Sequence, residues 1–307
     1  QLVGLFIETG ATVQIRYSGI RNGFTRSFGD NDPEVAYSGP LAVLVNRTSA
    51  SASEIFAGAI QDYQRGIVLG SQTFGKGTVQ EIIPMDYGQV KLTRSKFYRI
   101  SGASTQHRGV MPDIEFPDIY NAYEDIGESS LDGALPWDTV RPVEYRSYHS
   151  IQAMLPELKT LHEQRAQTSP DFIYLTDQIE RTKELRKREQ LSLNEAAVKI
   201  EREENRLVEF EAENMRRFLK GLPLREWVAD INTSDEEDET TTQIDTEPTI
   251  VDPDGLANDE LAEAETTEDT SEEEEDPLLL ESGKILADFM AINGRNVSYV
   301  NTLPRDR

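Results

Sequence analysis

The chain has 307 residues and carries 56 acidic against 31 basic side chains, a formal charge of −25 that argues against general nucleic-acid binding. It has no cysteine, which excludes disulfides and thiolate metal sites, and no apolar run of transmembrane length. The charge is concentrated in residues 235–276, which hold twenty Asp or Glu and no Lys or Arg. That stretch has too few large apolar side chains to offset its ordering entropy, so disorder is expected there.

The first 118 residues alternate strand-like runs and turns around one helix. Leu41-Ala-Val-Leu-Val45 is a continuous apolar run after Gly39-Pro40, the pattern of a strand buried on both faces. A stretch of small residues, Thr48-Ser-Ala-Ser-Ala-Ser-Glu54, leads into a helix to Asp62 with Ile55, Ala59 and Ile60 at helical spacing. Gly66-Ile-Val-Leu-Gly70 reads as a second buried strand, and the three together form a right-handed βαβ unit. Thr78-Val-Gln-Glu-Ile-Ile-Pro84 reads as a further strand, while Val90-Lys-Leu-Thr93 and Lys96-Phe-Tyr-Arg-Ile100 alternate as two half-exposed strands. Ser101-Gly-Ala-Ser104 is a turn, and Gly109-Val-Met-Pro-Asp113 closes the core.

Residues 118–148 read as irregular, with Pro136-Trp137 anchoring them to the core. From Ile151 the period becomes helical, with Ile151, Met154, Leu155, Leu158 and Leu161 on one face. Ser169-Pro170 opens a second helix striped with Phe172, Leu175 and Ile179. Ser192-Leu-Asn-Glu195 is a capping box before a longer helix whose Ala197, Ile200, Leu207 and Phe218 are expected to pack within the chain. A last apolar-faced helix spans residues 278–292, docking either on the helical region or on a partner.

The chemistry centres on Ser51 and Lys76. Ser51 lies at the carboxyl end of a strand and the mouth of a helix, where free N–H groups and the dipole favour developing negative charge. A tetrahedral oxyanion is such a charge. Lys76 sits between Gly75 and Gly77, which let backbone pack closely, with Phe74 as an apolar wall. A lysine of ordinary pKa, about 10.4, is no base near neutrality, so that role demands burial. The three histidines, His107, His149 and His162, are remote from Ser51 in sequence. Two plainer readings stay open: an N-cap serine cluster, and a lysine reaching outward from a surface turn. A phosphate loop is disfavoured, since Gly77 stands where Ser or Thr should follow the lysine and the next residues read as strand, not helix.

Ser49-Ala-Ser-Ala-Ser-Glu54, Phe74-Gly-Lys-Gly-Thr-Val-Gln80, Lys96-Phe-Tyr98 and Gly109-Val-Met-Pro-Asp113, in this order and spacing, resemble the carboxy-terminal processing, or tail-specific, peptidases of the S41 serine–lysine type. Ala134-Leu-Pro-Trp-Asp138 and the helices after it resemble the longer Gram-negative branch of that family. The resemblance implies an α/β fold: the latter part of a crotonase-like protease core with its βαβ unit over 1–118, followed by an all-α C-terminal domain. The expected division is a connecting segment over 119–150, the helical domain over 151–230, the acidic linker over 231–277, and a terminal helix and tail over 278–307.

It also implies roles. Ser51 is the nucleophile, Lys76 the general base and Gln80 the residue that orients the lysine through its carboxamide, with the Ala52 N–H supplying half of an oxyanion hole. Asp62 lies three helical turns from Ser51, about 16 Å away, and is expected to be structural or at most in a supporting layer. No cofactor and no metal is required. Substrates are expected to be exported proteins with apolar C-termini, delivered in the periplasm by an adaptor lipoprotein, with peripheral inner-membrane association. The family's glycine-rich oxyanion segment and PDZ domain do not occur in these residues, so the sequence reads as a fragment whose own catalysis is in doubt. The alternative is a non-catalytic interaction protein whose helices and acidic segment bind partners.

Overall fold

A computed structural model describes residues 2–17, 23–123, 125–188, 190, 192–227 and 275–302, without the side chains of 295–302. The acidic segment expected to be disordered falls, but for its last two residues, outside the described residues. In chain order the elements are β1 (Gly10–Tyr17), β2 (Phe24–Asp30), β3 (Ala42–Val45), α1 (Ala52–Asp62), β4 (Ile67–Gly70), β5 (Thr78–Pro84), β6 (Gln89–Tyr98), β7 (Ile114–Glu115), α2 (Ile151–Ala166), α3 (Pro170–Arg186), α4 (Glu195–Lys220) and α5 (Pro277–Thr302). Short 3-10 turns lie at Val3–Leu5, Ile119–Ala122 and Glu128–Ser130. The contacts divide the chain into one unit of Gln1–Glu195 with Glu275–Arg307 and a second of Ala196–Glu274.

In the first unit the expected βαβ unit is present: β3 and β4 pair in parallel around α1, and β7 extends the sheet in the order β3-β4-β7. Only β4 is buried throughout. The run at 41–45, expected to be buried on both faces, is an edge strand with Leu44 45% exposed, because β3 has a neighbour on one side alone among the described residues. A second, antiparallel sheet has the order β2-β1-β6-β5. The two half-exposed strands expected at 90–93 and 96–100 are one continuous strand, β6. Its residues do not alternate: 89–94 are all exposed and 95–98 all buried. The reason is topological, since the outer half pairs only with β5 in a two-stranded hairpin, whereas Ser95 to Tyr98 also pair with β1.

Helices α2, α3 and α5 bury their apolar faces on β4 and β7, sharing one cluster that includes Ile67, Leu69, Ile114, Leu158, Phe172 and Phe289. The packing therefore runs across the boundary expected near residue 118. The periodicities of α2 and α3 match the buried positions Ile151, Met154, Leu155, Leu158, Phe172 and Ile179. Ser169 caps α3, its hydroxyl accepting the Phe172 N–H at 3.5 Å. The terminal helix begins one residue before the expected start, runs on to Thr302 and docks within the chain. Arg165 on α2 donates to Glu281 at 2.9 Å and to Asp288 at 2.7 Å, and His162 meets Glu281 at 3.0 Å. Phe289 lies wholly inside this cluster, so Phe289→Ala should cost about 3–5 kcal/mol by lost transfer and cavity terms. Urea unfolding would show it as a lower midpoint at unchanged slope.

Pro136 and Trp137 do anchor the irregular segment: the indole Nε1 donates to Ser104 O at 2.9 Å, and the Arg108 guanidinium lies 3.9 Å from the ring centre. Next to them Asp138 accepts Lys96 at 2.6 Å and also pairs with Arg16. In the second unit, the chain after α4 folds back along it, with Trp227 against Phe210 and Asn214 exchanging two hydrogen bonds with Arg225. At the expected capping box the Ser192 hydroxyl takes the Asn194 N–H, and α4 begins at Glu195. Ile200, Leu207 and Phe218, expected to pack within the chain, are exposed. Among the described residues no helix is long and apolar enough to cross a membrane.

Candidate active site

Strand β3 ends at Val45, and residues 46–51 cross to the first turn of α1. Ser51, the residue before the helix, has φ 56° and ψ −110°, backbone that L residues rarely adopt. Strain of about 1–3 kcal/mol at a single position persists only where its surroundings hold it, and such positions gather at functional sites.

Glu54 is what holds it. Ser51 and Glu54 have the spacing of a capping box, and the Glu54 carboxylate reaches back to accept the Ser51 N–H at 2.8 Å. The same oxygen accepts the Lys76 N–H at 2.9 Å. Two donors on one oxygen bring the backbone nitrogens of Ser51 and Lys76 within about 6 Å of each other. The second oxygen accepts the Thr73 hydroxyl at 2.5 Å and the Gly75 N–H at 2.7 Å. Glu54 is fully buried, and burial pushes its carboxyl up to about 7 against four hydrogen bonds that favour the anion.

The loop carrying Lys76 is fastened elsewhere too. Phe74 N–H donates to Ser49 O at 3.0 Å, and His107 N–H donates to Gly75 O at 2.9 Å. Gly75 has φ +94°, and a Cβ there would meet the His107 carbonyl at 2.9 Å. A Cβ at Gly77 would meet Gln106 N at 2.7 Å. The two glycines thus permit the close backbone approach their placement beside the lysine suggested. Lys76 is buried, 8% exposed. After Gly77 the chain enters strand β5, and a phosphate loop, which must open a helix, is excluded.

The remaining sequence candidates fall in three places. Ala52 is the first helical residue, directly after Ser51, and is exposed. Gln80 is exposed on β5, next to a bulge in the β5–β6 ladder, and its amide donates to the Thr93 hydroxyl at 3.4 Å. Asp62 is at the far end of α1, where it pairs with Arg99 at 2.5 Å and accepts the Ser101 hydroxyl at 3.0 Å; it ties the helix to the end of β6. Sequence reasoning gave Glu54 no role of its own, although the Ser-x-x-Glu spacing was the available signal.

Residues 121–291 match the family described as the C-terminal domain of tail specific protease (DUF3340), and residues 1–116 match peptidase family S41. The tail-specific protease of Haemophilus influenzae is 40% identical over 216 residues, covering 66% of this chain and 30% of that protein. The carboxy-terminal-processing protease of Bartonella bacilliformis is 48% identical over 100 residues, 31% of this chain and 23% of that protein. Among solved structures, a photosystem II D1 C-terminal processing protease is 31% identical with a TM-score of 0.34, covering 38% of this chain and 29% of that one. The chain thus spans less than a third of the length of these relatives. With its S41 segment followed by the tail-specific C-terminal domain over more than half its length, the chain belongs to the tail-specific, carboxy-terminal-processing proteases of peptidase family S41.

Proposed function

We propose that the protein is a serine endopeptidase in which Ser51 is the nucleophile and Lys76 the general base, acting on chains recognised by apolar C-terminal residues. The observation that carries this reading is the single Glu54 oxygen shared by the Ser51 and Lys76 backbones. In the cycle, the lysine amine takes the serine proton as the hydroxyl attacks the scissile carbonyl, and the Ala52 N–H donates to the oxyanion. The ammonium then protonates the leaving amine, and water hydrolyses the acyl-enzyme with the lysine again as base. Gln80 orients the lysine in this reading. Strand β5, an edge of its sheet, begins two residues after Lys76 and offers an extended substrate main-chain pairing.

By the same reading the protein works in the periplasm of a Gram-negative bacterium, loosely held at the inner membrane. An adaptor lipoprotein presents poorly folded exported substrates to it. A fluorophosphonate probe mapped by mass spectrometry tests the site in the full-length protein. Label should sit on Ser51 and vanish in Lys76→Ala; label on another residue, or undiminished label in that variant, would reject the pair. The rival reading, a non-catalytic binding protein, draws support from the exposed apolar side chains Ile200, Leu207 and Phe218 on α4, and it expects no labelling at all.

A further inference from the structure

After β7 the chain turns back across the loop that bears Lys76. The Asp118 carboxylate accepts the Ser71 hydroxyl and, at 3.4 Å, the Arg47 N–H. The Arg47 guanidinium then bridges the two segments, donating to Ile126 O at 2.7 and 2.9 Å and to Thr73 O at 3.1 Å. At Glu128 the contact becomes direct. Its N–H donates to Phe74 O at 2.9 Å. Its carboxylate accepts Nε2 of Gln106 at 2.8 Å, while Oε1 of Gln106 accepts the Gly77 N–H at 2.8 Å. Gln106 is fully buried and Glu128 is 8% exposed, so water does not replace these partners if one is removed.

We propose that Glu128, acting through Gln106, is a positioning residue for Lys76. One side chain and one N–H of Glu128 take hold of the lysine loop at Phe74 and at Gly77, on either side of Lys76. A loop with glycines at 75 and 77 has wide backbone freedom of its own, and a base displaced by about 1 Å loses on the order of a hundredfold in rate. Glu128 lies in the segment matched by the tail-specific C-terminal domain, beyond the S41 match that ends at residue 116. The extension therefore does more than add helices: its first turns set the backbone that carries the base. This rests on the Ser51–Lys76 reading.

The test is steady-state hydrolysis of a peptide with an apolar C-terminus by the full-length protein, with folding followed by circular dichroism. Glu128→Ala and Gln106→Ala should lower kcat about 10–100-fold with KM within about twofold. Glu128→Gln should stay within about threefold of wild type, because a carboxamide oxygen still accepts the Gln106 amide. Gln106→Glu should be as slow as the alanine variants, since two carboxylates then face one another. Combining Gln106→Glu with Glu128→Gln reverses the donor and acceptor and should restore turnover. That swapped pair also decides the matter if the alanine variants do not fold. Wild-type kcat in folded Glu128→Ala, or failure of the swapped pair to recover, overturns the proposal. Lys76→Ala is run in parallel: activity there removes the Ser51–Lys76 reading itself, whereas an inactive Lys76→Ala beside unaffected Glu128 and Gln106 variants removes the positioning role alone.

Discussion

Lys76→Ala and Ser51→Ala are each expected to lower peptide turnover by at least about a thousandfold, with the double variant no slower than either single one. Groups that act as a unit lose their effect together, so non-additivity is the signature to measure. The loss should fall on kcat and leave KM nearly unchanged, because neither side chain is assigned a part in gripping the substrate's C-terminus. Lys76→Arg should be as inactive as Lys76→Ala. A guanidinium stays protonated and cannot accept the serine proton, whatever its fit. Rates near wild type in Lys76→Arg would mean that positive charge, rather than a free amine, is what the position supplies.

In these variants the loop keeps the contacts made by its main chain. The Lys76 backbone, not its side chain, bonds to Glu54, and Phe74, Gly75 and Gly77 are fastened through their own main chain. Circular dichroism of Lys76→Ala should therefore retain the wild-type secondary structure, and turnover is compared on the folded protein.

Elements whose signal is local were legible in the sequence. The βαβ unit and the faces of α2 and α3 follow from apolar periodicity, and the serine and lysine words lie where helix mouth and glycine-flanked loop occur. What was not legible depends on who sits next to whom. The run at 41–45 has the composition of a central strand, but among the described residues only β4 pairs with it, and Leu44 is exposed. Residues 89–94 alternate in sequence yet project as a hairpin with both faces open. Buried charges are the hardest case. Charged side chains are seldom fully buried, yet Glu54 is enclosed, and Arg65 is 2% exposed and donates to the carbonyls of Phe6, Tyr37 and Gly39. Most of their partners are backbone atoms from distant segments, which leave no trace in residue type.

Glu54 gives the second large effect. Glu54→Ala strands the Ser51, Gly75 and Lys76 N–H groups and the Thr73 hydroxyl in a buried site, at a cost of about 4 kcal/mol, and it releases the two loops that carry the proposed nucleophile and base. Turnover in the folded fraction should fall about a hundredfold or more. Glu54→Gln separates charge from shape and has a pH signature. The carboxyl lies at about 7 in the folded chain against an ordinary 4.5. Between these values the folded state holds a proton that the unfolded state has released, so this group makes the protein more stable as pH falls from above 7 to below 4.5, by about 3 kcal/mol. Urea unfolding at pH 8 and pH 5 should show that gain in wild type and lose it in Glu54→Gln. Catalysis should run the other way. All four partners are donors, so a proton on Glu54 leaves at least one of them without its acceptor and loosens the grip on Ser51 and Lys76. Activity should decline as pH drops through about 7 even while stability rises. A wild type whose stability between pH 8 and 5 tracks that of Glu54→Gln would show that four donors outweigh burial and keep the carboxylate ionised throughout.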